Sequence, residues 1–170
     1  MTADFGIAAF AAALDRLNTP LRESLARSMA VAGGQVIRDE AKLLAPMGTA
    51  DDGSAKPGAL RDAIYLAYKP GRSDDHQYVY SVSWNAKKAP HGHLLEFGHW
   101  RTNVVYKAAD GHWYSDPKRK LPSPIWVPAH AFLRPALTSS ATRARDAMFA
   151  RGQQRLGELL TDPASQDVLP

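Results

Sequence analysis

Residues 90–100, PHGHLLEFGHW, hold the densest group of chemically capable side chains in the chain: His91, His93, Glu96 and His99 within nine positions. Imidazoles and a carboxylate can ligate a metal, move a proton or tie down a chain corner, and their spacing helps to separate these roles. His91 and His93 are separated by one residue, as on a strand, whereas Glu96 and His99 follow at intervals of three, as on a helix. The pattern lacks His-Glu-x-x-His, which would set two imidazoles on one helical face for zinc. The chain has no cysteine, so disulfides, thiolate metal sites and cysteine nucleophiles are excluded together. Acid–base chemistry would need Ser81 or Ser83 as a nucleophile beside a His/Glu pair, and nothing in the sequence brings these groups together. There is no glycine-rich phosphate loop and no nucleophile elbow. The third reading is a structural corner. A helical turn over 92–97 would anchor Leu94, Leu95 and Phe97 in the core, and Gly98 would end it with a left-handed backbone. Glu96, set among apolar neighbours, would accept backbone N–H groups or pair with Arg134 or Arg61. The residues favour this reading, with no catalytic role, no metal and no cofactor.

The elements around the corner must position it. The chain has 170 residues, of which 45% are hydrophobic, enough for one compact domain. Its net charge of +4 and pI near 9.4 are a mild basic excess, suited to a partner with acidic patches. The alanine-rich start carries Asp4 and Asp15 with no basic residue ahead of them, unlike a secretory signal. No window approaches the roughly 20 apolar residues of a membrane span, so no membrane partner is expected.

Phe5, Ala9, Ala13 and Leu17 predict a helix over 3–17. Leu21, Leu25, Met29, Ala32, Val36 and Leu43 predict a second helix running to Leu44. Gly33-Gly34 in its middle would either kink it or admit another backbone closely, and close approach is the expectation. A polar loop over 45–58 precedes a helical turn that runs into a strand, IYLAYK. QYVYSVSW, 77–84, is a strand with Tyr78, Tyr80, Val82 and Trp84 on one side. Residues 104–107 and 112–115 form a hairpin around Gly111, and DPKRKLPSPIWVP follows as an extended, exposed run. Leu133, Leu137, Ala141, Ala144, Met148, Leu156 and Leu159 mark a long last helix, with a break near Gly152 and Leu133 buried. The fold class is α+β: a small antiparallel sheet with a projecting β-hairpin, packed against a long N-terminal helix and a long C-terminal helix. A single domain over 1–160 and a flexible tail over 161–170 are expected.

Three stretches, in order, resemble a known family. HLLEFG resembles a signature of histidine, two apolar residues and Glu-Phe-Gly. PAHAFLRPAL, 128–137, resembles a proline, aromatic, Leu-Arg-Pro-Ala-Leu segment that opens the last helix. EAKLLAP followed by PGALRDAI resembles an upstream Ala-Lys, Ala-Pro, Gly-x-Leu-Arg-x-Ser-Ile pattern. The family is a small bacteriophage neck and tail-component family, akin to minor tail protein Z and to head–tail joining and tail-completion proteins of long-tailed phages. The resemblance covers roughly residues 20–150. Ala63 departs from the usual Ser, GTADDGSAK is an insertion, and segment 99–127 is long.

The resemblance implies a non-enzymatic virion protein at the head–tail junction, assembled in the bacterial host cytoplasm. It would act in the neck, in tail completion or as a tail terminator. It would form a ring, a hexamer being favoured over a dodecamer, that docks to a connector or stopper and to tail tube or terminator proteins. Its structural motif maps onto His93, Glu96, Phe97, Gly98, Phe132, Leu133, Arg134 and Pro135.

The residues themselves add candidate contact groups: Arg101, Lys107, Trp113, Lys118, Arg119, Lys120 and Trp126. The basic ones would meet acidic patches on a neighbour or line a channel for passing DNA, through phosphate contacts without sequence information. Trp100, Trp113 and Trp126 suit an interface, or a satellite core under the hairpin. The alternative function is a nucleic-acid-binding module built on residues 117–120 and the aromatics nearby.

Overall fold

The computed structural model describes residues 19–48, 57–74 and 77–161. The helix expected over 3–17, most of the 45–58 loop and the tail beyond Thr161 lie outside the described residues. The fold is α+β. Helix α1 spans Thr19–Leu44, α2 spans Ala59–Ala63 and α3 spans Gly92–Phe97, while α4 spans Leu133–Thr161. Strands β1 (Ile64–Tyr68) and β2 (Tyr80–Trp84) make one two-stranded sheet, and β3 (His99–Lys107) and β4 (Trp113–Val127) make another. The chain divides into two compact units, Met1–Ile37 with Leu66–Ser81 and Ser140–Pro170, and Arg38–Tyr65 with Val82–Ser139.

In the first unit, Leu25 of α1 and Leu156 of α4 are buried together, with Leu21, Met29 and Phe149 packed around them. Helix α1 runs uninterrupted through Gly33-Gly34. A Cβ at Gly33 would stand 2.5 Å from Met148 Cγ and 3.1 Å from the Ala144 carbonyl oxygen, so the glycine admits α4 at close range. At Gly34 the crowding group is a side chain, Leu66, at 2.6 Å. The break expected near Gly152 is absent: α4 is continuous there, and Gly152 is buried. The ~1 kcal/mol helix cost of a glycine is small against the burial of the face that carries it.

In the second unit, the core comprises Ala41, Ala45, Leu60, Ala63, Ile64, Ala89, Phe132 and Ala136, with Val82, Trp84, Leu95 and Leu133 packed at its edge. Five of these eight buried residues are alanine, so backbones approach closely around the one large ring, Phe132. Leu43 was expected on the buried stripe of α1 but is 71% exposed. The last turn directs Ala41 and Ala45, four apart, into the core, and two residues on from Ala41 the helix has rotated by about 200°. Leu133, expected to be buried, is only half-buried, because Phe132 just before it takes the central place. Strand β2 begins at Tyr80 rather than residue 77, and all its side chains are half-buried, since neither face of a two-stranded sheet is fully covered.

The second sheet is longer than the sequence suggests. Strand β4 takes in the proline-rich run as well as residues 113–115. The antiparallel register pairs His99 with Val127, Trp100 with Trp126 and Tyr106 with Tyr114, but slips twice. Arg101 opposes Ile125, Asn103 opposes Lys120, and Val104 opposes Asp116. The surplus residues of β4 therefore lie in 117–119 and 121–124, which hold Pro117, Pro122 and Pro124. A bulge is where a residue without an N–H costs the ladder least. The expected turn is present, with Gly111 at φ 83°.

Candidate functional site

The histidine-rich segment folds as a corner. Helix α3 presents Glu96 inward, with only 2% of the residue exposed. One carboxylate oxygen, Oε2, accepts the N–H of Phe132 at 2.8 Å and that of Leu133 at 2.9 Å. The other, Oε1, accepts the N–H of Arg134 at 3.2 Å and its Nε at 3.4 Å. The Arg134 guanidinium also donates to the Glu96 carbonyl at 3.2 Å. The first N–H groups of a helix have no partner within it, and the helix dipole favours a negative charge there. Glu96 thus caps α4 from 36 residues away. Pro135 fits this scheme, because its missing N–H falls in the first turn, where no intrahelical bond is due. Arg61 is not a Glu96 partner: its Nε donates to the Lys42 carbonyl at 2.8 Å, at the end of α1.

Phe97, expected to anchor the core, is 62% exposed. Glu96 takes the inward position, and the next residue on a helix points about 100° away. The Phe97 ring instead lies 5.7 Å from the Arg134 guanidinium carbon. Gly98 follows with φ 72° and ψ 173°, a region nearly closed to other residues. A Cβ there would also stand 2.7 Å from the Trp126 ring and 2.8 Å from the Val127 carbonyl oxygen. We expect Gly98→Ala to cost at least ~1–3 kcal/mol from backbone strain alone, read as a lower midpoint in urea.

The histidines do not converge. His91 and His93 are exposed and His99 is half-buried. Among the described residues no group of three or more His, Cys, Asp or Glu side chains is arranged to hold a metal. The Glu96 carboxyl is shaped by opposing influences. Burial, the largest, raises its pKa; the Leu133, Phe132 and Arg134 N–H groups and the Arg134 guanidinium outweigh it, and the net value lies below the ordinary 4.5. A carboxyl depressed in the folded state stabilises fully above its unfolded pKa, and that contribution is lost as pH falls through the folded value. The thermal midpoint should therefore fall as pH drops below about 4.5, and Glu96→Gln should flatten part of that fall.

The second group of candidate residues lies on the β3–β4 arm. Lys107 and Trp113 face each other across its outer end, and Lys118, Arg119 and Lys120 are exposed. Arg119 is held by Asp116 at 2.7 Å, and its guanidinium carbon lies 5.9 Å from the Tyr106 ring. Arg101 is half-buried, and its Nε is enclosed without a partner. Trp113 and Trp126 are exposed, so the tryptophans are surface groups and not a satellite core. Trp126 packs on Trp100 with ring centroids 5.3 Å apart, and Tyr106 lies 6.2 Å from Tyr114. The two tyrosines were not singled out in the sequence: Tyr106 shares its spacing parity with Trp100 on β3, but two slips separate Tyr114 from Trp126, so only the register reveals it.

The first unit holds a groove of about 850 Å³ between Arg27, Tyr80, Arg151 and Arg155. Its guanidiniums are already engaged, by Glu23 at 3.0 Å and by Glu158 at 3.2 and 2.8 Å.

The family model described as "Bacteriophage HK97-gp10, putative tail-component" matches residues 8–98, a little over half the chain. The chain belongs to this HK97-gp10-like family of phage tail components. Comparison with curated proteins and with solved structures finds no match. The family match ends at Gly98, the residue that closes the corner, so the β3–β4 arm and α4 follow it. Within the matched part, each motif has a mechanical use. Gly58 turns the chain with φ 81°, Leu60 is buried, and Arg61 closes the end of α1. Ala63, in place of the usual Ser, lies in the apolar core. No described helix is long and apolar enough to cross a membrane.

Proposed function

We propose that the protein is a structural virion component at the head–tail junction, acting in the neck, in tail completion or as a tail terminator. The observation that carries this reading is the HK97-gp10-like match over residues 8–98. The geometry accords with a part whose work is docking: the histidine-rich segment serves as a joint, and the arm puts its aromatic and basic side chains on the surface. A ring is the natural assembly for a repeated head-to-tail contact that closes, with a hexamer favoured over a dodecamer. The ring would meet the connector or stopper on one side and the tail tube or terminator on the other, after assembly in the host cytoplasm. Residues 1–160 would act as a single domain, and none as catalyst or metal ligand. A nucleic-acid-binding module is the weaker reading, since Arg119 in the basic segment is already held by Asp116.

Deleting the gene from a phage or inducible prophage and imaging the lysate tests the proposal. The expected result is separate heads and tails, with joined particles restored by the gene in trans. Normal joined particles, or absence of the protein from purified virions, would sink it. Light scattering on the purified protein then reads the ring size.

A further inference from the structure

Helices α1 and α4 run antiparallel in the first unit: Ser24 meets Arg155, Ser28 meets Arg151, and Gly33 faces Met148. Along this seam lies the groove of about 850 Å³, lined by Arg27, Arg151 and Arg155 and by half-buried Val31 and Ala32. The three guanidiniums share two carboxylates, Glu23 and Glu158, so one positive charge is left over. These five side chains are 33–42% exposed, open to an occupant. The helical stretches that build the groove, 19–37 and 140–161, hold six arginines against three acidic residues, a net of +3. A groove of this size takes a small ligand or a few peptide residues, and a DNA duplex is too broad to enter it.

Charge, reach and polarity together select the occupant. Residues 1–18 hold Asp4 and Asp15 against Arg16, and residues 49–56 hold Asp51 and Asp52 against Lys56. Residues 69–75 balance two aspartates with Lys69 and Arg72. Residues 162–170, DPASQDVLP, hold Asp162 and Asp167 with no basic residue, and their net of −2 is the largest of these. They follow α4 directly. Thr161 stands about 9 Å along the helix from Arg155 and about 15 Å from Arg151. The six residues to Asp167 span about 20 Å when extended, enough to bring its carboxylate to either guanidinium. Val168 then comes level with Val31, which gives the apolar lining a matching group. Pro163 biases Asp162 against the helical backbone, which turns the chain off the α4 axis. So short a tether holds the segment at an effective concentration on the order of millimolar, well above that of a second copy in dilute solution.

We propose that residues 162–170 fold back into this groove, with Asp167 meeting Arg151 and Arg155 and Val168 covering Val31. The contact is independent of the chain's place in a virion.

The chain has no cysteine, so introduced pairs report proximity without background. In the purified full chain under mild oxidation, Val31→Cys with Val168→Cys should form an intramolecular disulfide at least about tenfold faster than Ala150→Cys with Val168→Cys. Ala150 is exposed and about as far along α4 from Thr161, but it is turned about 100° from Arg151. Adding Asp167→Lys should bring the first rate down to the second. Where Val31→Cys lowers the thermal midpoint, Ala32→Cys serves as the groove position. Equal rates for the two pairs, an unchanged rate with Asp167→Lys, or covalent dimers in place of the intramolecular link would overturn the proposal. So would a faster link between Val31→Cys and Asp15→Cys, which would give the groove to residues 1–18.

Discussion

Glu96→Ala should destabilise the protein by about 3–5 kcal/mol, measured from urea denaturation of the purified chain. The carboxylate is 2% exposed and accepts three consecutive backbone N–H groups and one guanidinium. Alanine removes the acceptor and leaves those donors in place. Phe132 is fully buried, so its N–H has no ready route to water. An unmade hydrogen bond at a buried donor costs about 1–3 kcal/mol, and several share this fate. Glu96→Gln should fall between wild type and alanine. The amide keeps one oxygen for the N–H groups, but its NH2 would face donors, and the favourable charge at the start of α4 is lost. The salt bridge to Arg134 is the smaller part, because that side chain is 67% exposed and well screened. Arg134→Gln should therefore cost far less than Glu96→Ala. Equal costs for the two would locate the effect in the ion pair and refute the capping account.

The corner was legible in the sequence because its residue types conflict with their setting. A glutamate between Leu-Leu and Phe-Gly must either be exposed or be satisfied, and a Leu-Arg-Pro sequence opening a helix supplies unpaired N–H groups. Arg134 was correctly foreseen as a neighbour of Glu96; the larger share of the bonding, the three backbone N–H groups, carries no side-chain signature. Phe97 was misplaced for a local reason: in a six-residue helix one inward position is already taken by Glu96, and periodicity cannot say which residue takes it. The long helices were legible from their apolar spacing and their ends were close, but the partner of each stripe was not. Leu43 continues the pattern of α1, yet Ala41 and Ala45 are the residues buried there. Small side chains give a weak hydropathy signal even where they set how closely backbones approach. The run holding Pro117, Pro122 and Pro124 read as extended and exposed, but its prolines hid that it continues the β4 ladder. Only the register, with its two slips, shows the strand absorbing them in bulges.

The same joint has an apolar half, and it gives the other large effect. Phe132→Ala should cost about 3–5 kcal/mol, since deleting a fully buried ring removes its transfer energy and leaves a cavity. The ring has no exposed surface, and its centroid lies 6.0 Å from that of Trp84 at 67°, an edge-on arrangement. Five of the other seven buried residues of this core are alanines, whose methyl groups cannot lean in to fill the space, so collapse would be limited. Leu137→Ala, at a half-exposed position in the helix that Phe132 precedes, should cost under about 1 kcal/mol. The double variant Glu96→Ala/Phe132→Ala should fall short of the sum of its parts by roughly 0.5–3 kcal/mol. Once the ring is gone, water can reach the Phe132 N–H, and part of the cost of losing its acceptor disappears. Strict additivity would mean that cap and ring act independently, and that the Glu-Phe-Gly and Phe-Leu-Arg-Pro segments are two adjacent features instead of one joint.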